Sequence, residues 1–295
     1  MIKNDIPEDT SAPEGMRTVD GDLAQCRGKI LPDIIYATKD GKDLRLRILQ
    51  PARLDEPLRT PLIMHVQGSG WMMQNMNDHV LDLAPYVRKG YTVAIVEYRH
   101  SALAAFPAQI EDAKTAMRYL NNHAEALGLD MSHVYLSGDS SGGHTVLGCM
   151  ITWADHRLDE EDTELPKLSG VIDYYGPTDL TTMPDFPSRM NHTDRNSPEG
   201  LICGGYDLKE HPGKAIPVSL KTYMHEGLDL PPLLMLHGSK DRIVPCHQSV
   251  EFYELMKSYG YDVTFIKVLG AGHGGSAFWC DNVCNAVSDF LDAHK

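Results

Sequence analysis

Gly138-Asp139-Ser140-Ser141-Gly142 sets a serine hydroxyl between two glycines. The apolar run Val134–Leu136 before it reads as the end of a strand. Residues 142–154 after it are apolar nearly all round and read as a buried helix. A serine on so sharp a strand-to-helix turn needs glycine at 138 and 142, because any side chain there would clash across the turn. The same turn puts the backbone N–H of Ser141 at a helix N-terminus, where it can stabilise an oxyanion. The chemistry this predicts is attack on a carbonyl carbon by Ser140. Without those flanks the motif would be a glycine-rich turn with an idle serine.

A hydroxyl is a weak nucleophile and needs a base whose second nitrogen is held by an acid. Behind a serine turn of this kind the partners follow in the order Ser, Asp or Glu, His. The apolar run Leu233–Leu236 empties into His237-Gly238-Ser239-Lys240-Asp241, and Val263–Val268 empties into Gly270-Ala271-Gly272-His273-Gly274-Gly275. Asp241 is therefore the candidate acid and His273 the candidate base. His247 and His294 also follow Asp241, but one opens a helix and the other is the penultimate residue. Asp179 and Asp229 compete with Asp241 for the acid, and Asp179 also follows a strand. Upstream, the run Leu62–Val66 leads into Gln67-Gly68-Ser69-Gly70-Trp71, a small loop suited to supply further oxyanion donors from the N–H groups of Ser69 and Gly70. Trp71, beside that loop, is a candidate wall of the substrate pocket or else a core residue. Cys280 and Cys284 stand one helical turn apart near His273, but zinc takes four ligands and no fourth is spaced for it, so they read as idle thiols. Asp139 reads as an anchor for the turn and Arg99 as a structural ion-pair partner.

These residues must be positioned by a sheet. Ile34–Thr38 and Leu44–Leu49 flank Asp40-Gly41, and the second run alternates apolar and arginine residues, the pattern of a half-exposed hairpin. Six short apolar runs follow, at Leu62–Val66, Thr92–Val96, Val134–Leu136, around Val171-Ile172, Leu233–Leu236 and Val263–Val268. Such runs read as strands buried on both faces. Helical periodicity fills the gaps over residues 110–127, 142–154, 247–259 and 277–293. The expected class is α/β: one mostly parallel, eight-stranded, doubly wound sheet with helices on both faces. Residues 1–30 read as a polar leader, and residues 31–182 with 231–295 as the core. Residues 183–230 carry many Pro, Gly, Asn and charged residues without a period, and read as a lid or cap insertion.

The balance of 27 Lys+Arg against 41 Asp+Glu gives a formal charge of −14. That repels phosphate backbones and anionic lipid, so neither nucleic acid nor a membrane surface is an expected partner. The first twenty residues lack the basic and apolar regions of a secretory signal. Six cysteines are scattered without framework spacing and read as reduced thiols in a cytoplasmic protein, which makes the sequon at Asn191 accidental. No feature sets an oligomeric state.

Gly138–Gly143 resembles the serine turn of the hormone-sensitive-lipase-like branch of the α/β-hydrolases. The segment from Leu233 to Pro245, with Gly272–Gly275 and Phe278-Trp279, is similar to bacterial carbohydrate esterases described as bifunctional feruloyl and acetylxylan esterases. The resemblance implies the α/β-hydrolase fold and an esterase of short acyl or hydroxycinnamoyl groups. It implies a small-molecule ester as substrate, with no metal and no organic cofactor. The branch usually reads His-Gly-Gly-Gly before the tryptophan, whereas this chain has Gln67-Gly68-Ser69-Gly70. A positive φ at Ser69 would cost about 1–2 kcal/mol. Two other readings share the serine turn: a serine peptidase of the prolyl-oligopeptidase type, which usually carries a large extra domain, and a non-catalytic binding protein on the same scaffold.

Overall fold

The computed structural model describes residues 7–21, 26–52 and 59–295. Parts of the expected leader, residues 1–6 and 22–25, lie outside the described residues. Among the described residues, nine strands form one sheet: β1 Arg27–Ile30, β2 Ile34–Lys39, β3 Lys42–Ala52, β4 Thr60–Val66, β5 Thr92–Val96, β6 Leu129–Asp139, β7 Gly170–Tyr174, β8 Leu233–Gly238 and β9 Val263–Val268. Their order is β1-β3-β5-β4-β6-β7-β8-β9, with β2 also on β3. From β5 to β9 all pairings are parallel, while β1, β2 and β5 pair with β3 antiparallel. The sheet thus has one strand more than the eight expected. The extra one is β1, cut from the end of the expected leader. All four of its residues are exposed, so no apolar pattern marks it, and it is held by backbone pairing of Arg27–Ile30 to Leu49–Ala52.

Seven α-helices accompany the strands among the described residues: α1 Val80–Arg88, α2 Ala108–Asn122, α3 Ala124–Leu127, α4 Ser141–Ile151, α5 Pro198–Ile202, α6 His247–Ser258 and α7 Asp281–Ala293. Alternation along the buried strands divides them between two faces. Leu62, Met64 and Val66 of β4 join a cluster with Ile110 and Met117 of α2, Val146 and Met150 of α4, and Phe252 and Met256 of α6. Ile63 points the other way, into a cluster with Leu83 and Tyr86 of α1 and Val287 and Leu291 of α7. The expected helix over residues 110–127 is broken at His123 into α2 and α3. The segment 183–230 holds α5 and three single 3-10 turns. A third cluster joins it to the core, with Met183, Ile202, Leu208 and Val218 around Trp71, Leu180 and Val244. No helix among the described residues is long and apolar enough to cross a membrane.

From β4 the chain steps to β5 on one side and later to β6 on the other. The ends of β4 and β6 therefore flank the point where strand order reverses, and in open α/β sheets that is where ligands bind. One buried charge cluster braces the edge nearest the hairpin. Arg99 is 6% exposed and lies 2.8–3.1 Å from carboxylates of Asp40, Glu111, Asp112 and Glu160. Asp112, whose side chain is fully buried, also accepts the Arg99 backbone N–H at 2.8 Å. Removing Arg99 would leave the fully buried Asp112 with Lys39, at 3.1 Å, as its remaining cation, while Asp40 and Glu160 are open to solvent. Arg99→Ala is expected to destabilise the chain by about 3–5 kcal/mol, read from urea unfolding. A loss below about 1 kcal/mol, the range of exposed pairs, would show that the cluster contributes little.

Candidate active site

Ser140 sits between β6 and α4 with φ 51° and ψ −122°, a conformation that costs a non-glycine residue of order 1–3 kcal/mol. Its surroundings hold it there. The Ser140 N–H donates to the Tyr174 carbonyl at 2.8 Å, and the His144 N–H donates to the Ser140 carbonyl at 3.0 Å. A side chain at Gly142 would collide with the Val66 carbonyl at the end of β4. The glycine thus lets the start of α4 touch the neighbouring strand.

Ser140 Oγ lies 2.8 Å from His273 Nε2, and His273 Nδ1 lies 2.7 Å from Asp241 Oδ2. The three residues come from loops after β6, β8 and β9, at one end of the sheet. Asp241 has a fully buried side chain. Its Oδ1 accepts the N–H groups of Ile243 at 2.8 Å and Val244 at 3.1 Å, and His237 Nε2 lies 3.2 Å from Oδ2. Burial pushes the Asp241 pKa up, but hydrogen bonds from His237 and His273 outweigh it and bring it down to about 2. An ionised Asp241 then accepts Nδ1–H and orients Nε2 of His273 towards Ser140.

The competing residues are engaged elsewhere. Asp179 is paired with Lys221 and accepts the Thr181 N–H at 2.9 Å. Asp229 lines a cavity with Ser132, His133 and Leu168, near the opposite ends of β6 and β7. His247 lies 3.2 Å from Glu251, and His294 is 2.7 Å from the Phe290 carbonyl. The Cys280 and Cys284 thiols donate to the carbonyls of Ala277 and Trp279.

On the oxyanion side the structure brings Ser69, Gly70 and Ser141 together, with one difference from expectation. The Ser69 N–H is already donated to Ser141 Oγ at 2.9 Å. Positive φ falls on Gly70 (62°) and Trp71 (55°), not on Ser69, so the serine in place of glycine carries no such strain. Trp71 corrects the expectation of a pocket wall. It is 2% exposed and packed in the third cluster with Met183, Ile202 and Leu208 of residues 183–230.

Asp139 is an anchor, as its position implied, and a charged one. Its Oδ1 accepts the Gly68 N–H at 2.8 Å, and His65 and His79 approach it at 3.4 and 3.6 Å. Burial raises its pKa, yet the two histidines outweigh that and hold it below the ordinary range. His79 loses basicity by burial but gains more from Asp139 and Asp82, and rises to about 9. Sequence reasoning missed His79, His237 and Tyr175. Tyr175 has φ 46°, and its ring packs edge-on against His273 with centroids 4.8 Å apart. Only His237 left a signal, standing four residues before Asp241 at a strand end.

A family model described as BD-FAE matches residues 46–256. Among curated proteins, the chain is 26% identical over 235 residues to the probable carboxylic ester hydrolase LipM of Mycobacterium tuberculosis (strain ATCC 25618 / H37Rv), covering 76% of this chain and 51% of LipM. It is 26% identical over 268 residues to the esterase LipQ of the same organism, covering 88% of this chain and 61% of LipQ. The chain thus spans between about half and two thirds of the length of these relatives. Among solved structures, a truncated carbohydrate esterase from gut microbiota superposes with a TM-score of 0.76 at 26% identity, covering 93% of this chain and 98% of that one. A bifunctional GH43-CE of Bacteroides eggerthii gives 0.77 at 28% identity, covering 90% of this chain and 38% of that one. The fold is that of α/β-hydrolase esterases.

Two measurements follow from the geometry. A fluorophosphonate probe is expected to label the parent at Ser140 and to leave Ser140→Ala unlabelled, with Asp241→Asn slower by about ten-thousandfold through tautomer misorientation. Undiminished labelling of Ser140→Ala would place the nucleophile elsewhere. The second concerns His79, which faces Asp82, Asp139, His65 and the Trp279 ring. Because its folded pKa of about 9 exceeds the ordinary 6.5, its stabilisation is complete below pH 6.5 and is lost as pH rises through about 9. Thermal midpoints are expected to fall over that window more steeply in the parent than in His79→Gln; parallel curves would remove His79 from the balance.

Proposed function

The chain belongs to the BD-FAE family of α/β-hydrolase esterases, and on that premise we propose that it is a serine carboxylic-ester hydrolase working through an acyl-enzyme. The observation that carries this reading is the continuous series from Ser140 Oγ to His273 (2.8 Å) to Asp241 (2.7 Å), behind a serine held in a strained turn. Ser140 Oγ attacks the ester carbonyl as His273 Nε2 takes its proton. Asp241 holds the tautomer and stabilises the imidazolium that forms. Backbone N–H groups at the β4 loop and at Ser141 receive the oxyanion, each donor of this kind being worth about 2.7–4 kcal/mol. His273 then returns the proton to the leaving alkoxide. Water, deprotonated by the same imidazole, releases the acid and restores Ser140.

The proposed substrates are short acyl esters, acetyl above all, or hydroxycinnamoyl esters, of sugars or aryl alcohols. The carbohydrate-esterase neighbours support the sugar side of this reading. The acidic surface argues against a lipid interface, since a lipase presents a large apolar patch. Residues 183–230 act as the cap over Ser140 in this reading. Ser188 Oγ donates to the Ile243 carbonyl at 3.0 Å beside Asp241, and Pro198 lies against Gly70 of the oxyanion loop. The insertion thereby touches both loops that flank the serine.

The test is a panel of 4-nitrophenyl acetate, butyrate, octanoate and palmitate, with methyl ferulate and an acetylated xylo-oligosaccharide. We expect kcat/KM to peak at the short acyl groups and to fall by about tenfold or more by palmitate, since each methylene outside a fitted pocket loses binding. A value rising towards palmitate would overturn the reading in favour of a lipase. Methyl ferulate cleaved faster than every acetyl ester would make the hydroxycinnamoyl group the acyl substrate.

A further inference from the structure

Ser69, where the branch usually has glycine, takes part in a set of hydrogen bonds whose direction can be counted proton by proton. Ser69 Oγ lies 2.7 Å from the Met72 carbonyl, which can only accept, so the single hydroxyl proton of Ser69 is used there. In the 2.9 Å contact between Ser69 Oγ and Tyr98 Oη the donor must then be Tyr98. With that proton used, Tyr98 Oη can only accept in its 3.3 Å contact with Ser141 Oγ. Ser141 Oγ in turn accepts the Ser69 backbone N–H at 2.9 Å. The circuit leaves Ser69 by its amide, passes through Ser141 and Tyr98, and returns to the Ser69 side chain. Every hydroxyl in it donates once and accepts once.

The participants are fixed. Tyr98 and Ser141 are each 1% exposed. Burial pushes the Tyr98 phenol up to about 12, so its proton stays in place at neutral pH. The Tyr98 N–H donates to Gln74 Oε1 at 2.8 Å, and Gln74 Nε2 donates to the carbonyls of Gln67 and Val96 at 3.1 and 3.0 Å, which ties the phenol's backbone to the same loop. Ser141 is the first residue of α4, where N–H groups have no partner within the helix, so its own amide remains for the oxyanion.

We propose that Ser69, Tyr98 and Ser141 form a one-way hydroxyl relay that positions the oxyanion donors, with the Ser69 N–H committed to the relay and the amides of Gly70 and Ser141 receiving the oxyanion. The inference rests on the ester-hydrolase reading and assigns the three side chains as positioning residues. Such a relay strengthens cooperatively and holds Gly70 at a set distance from Ser141. It also gives Ser69 a function that glycine could not perform.

Tyr98→Phe removes one oxygen and keeps the ring, and Ser141→Ala keeps the amide. Each is expected to lower kcat on 4-nitrophenyl acetate by about tenfold with KM and the pH profile unchanged, the pattern of an interaction made only in the transition state. The double variant should lose no more than the worse single one, because both cut the same circuit. Ser69→Ala, on a half-exposed loop, gives the same reading if Tyr98→Phe fails to fold. An unchanged kcat, losses that multiply in the double variant, or a kcat raised by Ser141→Ala would each overturn the proposal; the last would show that the hydroxyl competes with the oxyanion for the Ser69 N–H. Amide exchange of Ser69 separates this from the reading beneath it. Should the parent prove inactive on every ester, slow exchange lost in Tyr98→Phe and Ser141→Ala would still support the relay, and fast exchange in the parent would refute it.

Discussion

Much of the molecule depends on how closely the start of α4 approaches the end of β4. The two elements touch backbone to backbone at Gly142 and Val66, and no residue with a side chain could stand at that crossing. The contact lies beside the positive φ of Ser140 and sets the proposed oxyanion loop next to it, since that loop begins at Gln67 where β4 ends. Gly68 is pressed against the same turn; a Cβ there would lie 2.9 Å from Ser140 Cβ. The strain at Ser140 is offset by bonds that use backbone groups of the turn, and by Asp139, which reaches back to the Gly68 amide. A charged carboxylate in that place needs counter-charge, which His79 at the start of α1 supplies, while burial holds the His65 pKa down and leaves His65 of β4 as a neutral neighbour of the carboxylate. One steric constraint thus propagates into a buried electrostatic cluster.

The acid side is organised on a different principle. Asp241 is not strained; it is saturated with donors. Two backbone amides occupy one oxygen, and His273 with His237 occupies the other. His237 is itself fixed by Ser249 at 2.7 Å and the Val244 carbonyl at 3.0 Å, so the carboxylate cannot rotate without breaking several bonds at once. Tyr175, wedged against the His273 ring from the end of β7, restrains the imidazole from the side the carboxylate does not reach. Ser140 is thus held by strain and His273 by enclosure.

The residues of the proposed triad were legible in the sequence because each follows a strand. A short apolar run ending in small or polar residues marks a sheet edge, and Ser140, Asp241 and His273 all stand just beyond such runs. The central strands were legible for the same reason. β1 was not, because Arg27–Ile30 buries no side chain and is recognised only by pairing with β3. α1 was hidden by the polar residues before it and by Pro85 within it. The relay through Tyr98 was beyond sequence reading altogether. It joins residues 29 and 43 positions apart through single oxygen atoms, and neither periodicity nor spacing registers such a contact. Trp71 was ambiguous because an indole beside the proposed oxyanion loop suits a pocket or a core equally, and its burial in the third cluster decides for the core.

The anchoring of residues 183–230 bears on how a substrate gains entry. Val218 gives its carbonyl to His144 of α4 at 2.8 Å, Leu220 donates its amide to Thr178 at 2.8 Å, and Met183, Ile202 and Leu208 share a cluster with Trp71. A segment tied in this way cannot swing aside as a unit without exposing that cluster to water. With residues 183–230 read as the proposed cap, access to Ser140 must be gained while this cluster stays closed. On the proposed ester-hydrolase reading, turnover then follows ordinary saturation with dissolved substrate, with no abrupt gain where the substrate aggregates into droplets or micelles.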